Sequence, residues 1–138
     1  MKKQLLISGL ALFLAPLLFA QVKDYKILFD ITSKDTADHH TVVRHVGGMA
    51  EAYPDAKLEV VIYGGAINMV LPERSVVAGS LKTLTANKNV SFKVCAGTMK
   101  RYNIDKSQLL PGIEVVPDAI IEIITKQGQG WGYIKESH

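Results

Sequence analysis

Leu58-Glu-Val-Val-Ile-Tyr63 is the stretch from which the fold can be read. It is mostly apolar and β-branched, as in a strand covered on both faces, so it is expected at the centre of a sheet. Extended to residues 57–63, it is one of five β-rich runs. The others are Lys26–Ile31, Val90–Cys95, 113–116 and 131–135. The runs alternate with stretches of helical character, and that alternation predicts an α/β domain with a mainly parallel five-stranded sheet.

The helical stretches have their own punctuation. Val42, Val43, Val46, Met49, Ala50 and Tyr53 recur at helical spacing, Asp35 or Thr36 stands where a cap belongs, and Pro54 closes the run. Gly47-Gly48 inside it costs on the order of 1 kcal/mol per glycine relative to alanine. Either a close backbone approach compensates, or the helix is locally weak. A short helix is expected over 66–71, stopped by Pro72, and another after Ser75 with Val76, Val77, Leu81 and Leu84 on its apolar side. A turn or two follows Cys95 as far as Tyr102. Asp105 is placed to cap 106–110, and Asp118 to cap a last helix whose Ile120, Ile121, Ile123 and Ile124 are read chiefly as core, the alternative being an apolar surface partly left for a partner subunit.

Residues 1–20 read as a signal peptide: Lys2 and Lys3, an apolar run over 5–19, and Ala20 as the small residue before cleavage. The apolar run is shorter than the ~20 residues of a comfortable membrane span and contains Pro16, so no stable membrane insertion is expected after cleavage. The product, residues 21–138, has the size of one domain and is expected to be periplasmic or secreted. Without Lys2 and Lys3 the formal charge falls from +3 to +1. The remaining lysines are scattered among acids, which argues against a nucleic-acid partner.

In open parallel sheets ligands bind beyond the carboxyl ends of the strands. The strand exits carry Asp30 with Thr32-Ser33, Tyr63-Gly64-Gly65, Cys95-Ala96-Gly97 and Pro117-Asp118, and these are expected to share one rim. Asp30, Ser33, Gly64, Gly65 and Gly97 are its candidate binding residues. Gly64 and Gly65 would let backbone amides approach an anion or a sulfur group. Cys95, the only cysteine, sits where a strand turns into a helix, a setting for nucleophilic or sulfur-transfer chemistry with Lys100 and Arg101 close by. If the strand is regular to its end, the alternation of Val90, Phe92 and Val94 turns Cys95 to the opposite face. A loop beginning at Cys95 would break that parity. The bland alternative is a small buried hydrophobe.

Other chemistries find little support. His39, His40 and His45 lack metal-ligand spacing, so no metal is expected. His39 or His40, near the start of the first helix, is a candidate proton donor at the rim, against the plainer reading of a solvated helix end. There is no G-x-S-x-G elbow for a serine hydrolase and no C-x-x-C for a thioredoxin-like couple. The glycine-dense 128–132 stretch precedes a strand instead of linking strand to helix, which argues against a nucleotide cradle, and no cofactor is expected.

Val94-Cys-Ala-Gly-Thr-Met-Lys-Arg-Tyr-Asn-Ile-Asp105 resembles the DsrE/DsrF-like family of TusD- and YchN-type proteins. Lys26-Ile-Leu-Phe-Asp-Ile-Thr-Ser33, Tyr53-Pro-Asp-Ala-Lys-Leu-Glu-Val-Val61 and Gly130-Trp-Gly-Tyr-Ile134 look like its exported branch. The resemblance implies a three-layer α/β/α fold, assembly into oligomers (here a homo-oligomer) and a cysteine that carries sulfur as a persulfide. Only Cys95 can take that role, with Arg101 and Asp105 at matching motif positions. The expected partners are a thiol protein or a small sulfur compound. The competing expectation is a non-catalytic oligomeric binding module that uses the same rim, with Cys95 structural.

Overall fold

The computed structural model describes residues 24–137. The expected signal peptide, residues 1–20, lies outside them. Five strands, β1 (Lys26–Ile31), β2 (Lys57–Ile62), β3 (Val90–Cys95), β4 (Glu114–Val116) and β5 (Gly132–Glu136), form one sheet in the order β4-β3-β2-β1-β5. Every pairing is parallel. The strand read as central is central, since β2 pairs with β1 on one side and β3 on the other.

Helix α1 (Thr36–Ala52) joins β1 to β2. Asp35 caps it, accepting from the Ala37 amide at 2.9 Å. A 3₁₀ helix (Gly64–Val70) and α2 (Ala78–Thr85) lead to β3. The stretch expected as a short helix from residue 66 thus starts earlier and winds more tightly. Helix α2 begins after Val76 and Val77, of which Val77 is buried and Val76 exposed. After β3 come α3 (Ala96–Arg101), a 3₁₀ turn (Lys106–Gln108), β4 and α4 (Ala119–Gly128).

The faces of the sheet separate by strand parity. Phe29, Ile31, Val60, Ile62, Phe92 and Val94 point to one side and bury Val42, Val43 and Val46 of α1, Leu81 of α2 and Ile67 and Met69 of the first 3₁₀ helix. Each such side chain contributes roughly 1.5–3 kcal/mol when fully buried. Leu28, Val61 and Cys95 point to the other side, where Ala119 and Ile123 of α4 cover them. The chain steps from β1 to β4 in one direction and then returns past β1 to place β5. Right-handed crossovers put α4 on the face opposite α1 and α2 when the direction reverses, which yields three layers.

One expectation about packing is corrected and one open alternative is decided. Only Ile123 of the α4 isoleucines is buried, because the helix meets the sheet along a narrow stripe; Ile120, Ile121 and Ile124 are exposed. At Gly47 an added Cβ would meet nothing closer than Leu84 Cδ2 at 3.9 Å, and at Gly48 nothing within 4 Å. No close backbone approach offsets these glycines, and α1 is locally weak there.

Beneath α4 lies an ionic network. Glu59 of β2, almost fully buried, meets Lys93 and Lys126 at 3.0 Å each, and Lys93 also reaches Glu122 at 3.0 Å. Burial, with Glu122 beside it, pushes the Glu59 carboxyl above the usual range. Burial works against the charge on Lys93, but Glu122 and Glu59 outweigh it and hold its ammonium above the ordinary value. Lys126 also lies 4.4 Å over the Trp131 ring. These contacts fasten α4 to the sheet where the apolar stripe is thin.

Candidate functional site: a cysteine cleft at the carboxyl edge of the sheet

Strand β3 is regular through Cys95, so parity holds and the thiol turns to the α4 face. Val94, its neighbour, belongs to the opposite core. The chain leaving β3 enters α3, whose Met99 packs into the α1 and α2 layer, whereas the chain leaving β4 enters α4 on the other face. Exits that diverge to opposite faces open a crevice between them, the general location of ligand sites in open α/β sheets.

The crevice is a cleft of about 480 Å³ that includes Thr32, Tyr63, Gly64, Cys95, Thr98, Arg101 and Asp118 in its lining. Gly97, Ala119 and Ile120 complete it. All four strand exits expected to share a rim therefore do so. Cys95 is 8% exposed, lining the cleft and clustered with Leu28, Val61, Ala119 and Ile123.

Gly64 adopts φ +58°, a conformation that side chains rarely take, and its amide donates to Thr98 Oγ1 at 3.1 Å. That bond ties the β2 exit to α3. Asp118 accepts from the Ile120 and Ile121 amides at 2.8 and 3.1 Å, so its Oδ1 caps α4 while the residue lines the cleft. Arg101 contributes the only basic side chain among the lining residues.

The other candidates fall elsewhere. Asp30 is buried on the α4 face below the cleft. It accepts from Tyr133 at 2.6 Å, Tyr63 at 3.4 Å and Lys135 at 3.0 Å. It fixes the Tyr63 ring that walls the cleft. Burial, followed by the Asp30 charge, raises the pKa of the Tyr63 hydroxyl. Ser33 turns its hydroxyl to the Asp35 amide at 3.1 Å, and its carbonyl accepts from His39 Nε2 at 2.9 Å. Gly65 is a close approach: a Cβ there would lie 2.9 Å from Lys34 Cβ.

Asp105 accepts from the Ser107 amide at 2.9 Å and caps the second 3₁₀ turn, which holds its carboxyl below the usual range. It is structural. Lys100 and His40 are exposed and outside the cleft lining, so the geometry gives neither contact with Cys95. Thr98 was missed by sequence reasoning, whereas Thr32 was expected on the rim with its strand exit but not singled out as a binding residue. A signal existed for Thr98, since position i+3 from Cys95 at a helix start shares its face. Thr32 had none beyond its strand exit. Among the described residues no group of three or more His, Cys, Asp or Glu side chains could hold a metal ion.

Fold and cleft together define a three-layer α/β/α protein with a cysteine at the carboxyl edge of a parallel sheet. A model of the DsrE/DsrF-like family matches residues 26–135, and the chain belongs to that family, which is known in sulfur relay. Among solved structures the chain is similar to a protein of unknown function, MTH1491, from Methanobacterium thermoautotrophicum. That likeness has 28% identity and a TM-score of 0.76, covering 81% of this chain and 99% of the other. It also shares its fold with the ychN protein from E. coli, at 15% identity and a TM-score of 0.69, covering 81% and 98%. No curated protein matches the chain.

Proposed function

We propose that the protein is a sulfur carrier in which Cys95 accepts a sulfane sulfur as a persulfide and passes it to a partner thiol or a small acceptor. The observation that carries this reading is the placement of the chain's one thiol in the lining of the cleft between α3 and α4, in a family known in sulfur relay. The thiolate attacks the outer sulfur of a donor, a new S–S bond forms at Sγ, and the donor's former S–S bond breaks with its electron pair on the leaving group. Enclosure shields the resulting persulfide from further oxidation, the main hazard for such a group outside the cytoplasm. In the same reading residues 1–20 export the chain, the mature protein works in the periplasm or outside the cell, and it assembles as a homo-oligomer. The exposed isoleucines of α4 support the last point.

The test is the intact mass of the native protein after treatment with polysulfide. An adduct of one sulfur atom, removed by dithiothreitol, is expected on the wild type and not on Cys95→Ser. An unmodified wild type would refute the reading.

A second reading is favoured by one observation, the packing of Cys95 within the apolar cluster of Leu28, Val61, Ala119 and Ile123. In it Cys95 is structural and the cleft is a binding site of a non-catalytic module. An unmodified native protein whose thiol reacts only after unfolding would select it.

A further inference from the structure

Cys95, Thr98 and Arg101 stand at three-residue intervals from the end of β3 along α3, and all three line the cleft. Arg101 has no carboxylate partner among the described residues, although the cleft also contains Asp118, whose Oδ1 is engaged by the Ile120 and Ile121 amides. Thr98 is 4% exposed. Its Oγ1 accepts the Gly64 amide, and its hydroxyl hydrogen has no acceptor among the described residues. A buried hydroxyl with a spare donor is costly unless something in the cleft accepts it. The cleft that the thiol lines thus also contains a guanidinium and a hydroxyl donor. That combination suits an oxyanion joined to the sulfur that Cys95 attacks.

We propose that the sulfur donor for this cleft is a small oxyanion-bearing sulfane compound of the thiosulfate class, recognised by Arg101 and Thr98. The proposal rests on the reading of Cys95 as a sulfur acceptor. In the step, Cys95 thiolate attacks the terminal sulfur of thiosulfate and forms the new S–S bond. The bond between that sulfur and the SO₃ group breaks, and its electron pair leaves on sulfite. Two anions enter and two leave, Cys95 persulfide and sulfite, with no further oxidant or reductant. Arg101 and Thr98 hold the SO₃ group as charge accumulates on it. A cleft of about 480 Å³ with the thiol 8% exposed admits a donor of this size, whereas a folded protein would have to insert a protruding segment.

The experiment uses the full chain as wild type, Arg101→Ala, Arg101→Lys and Thr98→Val. Cys95 persulfide is followed by mass with thiosulfate and with 2-hydroxyethyl hydropersulfide, a donor that lacks an oxyanion. In parallel, the thiol is alkylated with iodoacetate and with neutral iodoacetamide. In the wild type both anionic reagents are expected to be favoured over their counterparts relative to a free cysteine peptide. Arg101→Ala should lower each ratio by about tenfold, the worth of roughly one charge-assisted hydrogen bond, and Arg101→Lys should lower it less. Thr98→Val should lower the thiosulfate ratio in the same direction. Ratios unchanged by Arg101→Ala, with the hydropersulfide still modifying Cys95, would overturn the donor assignment and leave the carrier reading standing. Failure of both donors on the wild type would bring down the carrier reading and this proposal with it.

Discussion

Tyr133 of β5 donates its phenolic hydrogen to Asp30 Oδ2 of β1 across 2.6 Å, joining residues that only the parallel pairing of the first and last strands brings together. That hydrogen bond, then burial and the Asp30 charge, pushes the Tyr133 pKa up to about 12 from the ordinary 10.0. The folded state therefore holds this proton more tightly than the unfolded chain. The resulting stability is fully present below pH 10 and is lost as pH rises from 10 towards 12. Ultraviolet titration of the tyrosines should show a late step near pH 12 besides the raised Tyr63 hydroxyl, and Tyr133→Phe should abolish that late step. A Tyr133→Phe protein that retains the late step would show that another hydroxyl carries it.

Much of this arrangement could not be read from sequence, and the reasons are physical. Strands β1 and β3 were found with their bounds because their apolar runs end at clear breaks, and α1 and α4 because Asp35 and Asp118 cap them as expected. The Asp30 cluster depends on a pairing more than a hundred residues apart in the chain, which no local pattern encodes. The isoleucines of α4 misled because composition reports apolarity and not which side of a helix the sheet can reach. The rim was legible from strand exits alone and Arg101 from its place shortly after Cys95, but Thr98, which also lines the cleft, went unread until the direction in which α3 departs was known.

The ionic network under α4 should be sensitive to single truncations. Lys93→Ala removes a cation that meets both Glu59 and Glu122 at 3.0 Å and leaves Glu59, whose Oε1 already lacks a partner, with one lysine. A loss of about 2–3 kcal/mol in urea unfolding is expected, against less than ~0.5 kcal/mol for Lys88→Ala on the surface. Equal effects at the two positions would show that the network contributes nothing beyond its solvent-exposed charge.

Two glycines should respond to alanine in opposite directions. Gly48 sits within α1 with open space around it, so Gly48→Ala should stabilise by about 0.5–1 kcal/mol. Gly65→Ala drives a methyl to 3.1 Å from the Lys34 amide nitrogen and should cost about 1–3 kcal/mol, loosening the rim at the β2 exit. Thermal unfolding of both variants gives the signs, and a stabilised Gly65→Ala would show that the rim backbone yields freely.

Access to Cys95 should depend on the residues of α4 that cover it. Ile123→Ala shortens a side chain packed against the thiol from the helix side, and alkylation by iodoacetamide should accelerate several-fold in the native protein. Ile124→Ala, on the exposed side of α4, should leave the rate unchanged. Equal acceleration in both would indicate general loosening of α4 instead of local uncovering.

The most direct measurement compares persulfide formation on Cys95 in the native protein with that in the same protein unfolded in urea, under one polysulfide concentration. A cleft built for sulfur acceptance predicts faster formation in the native state despite the low exposure of the thiol, with no adduct on Cys95→Ser in either state. Formation confined to the unfolded chain would contradict the account and make Cys95 a packing residue.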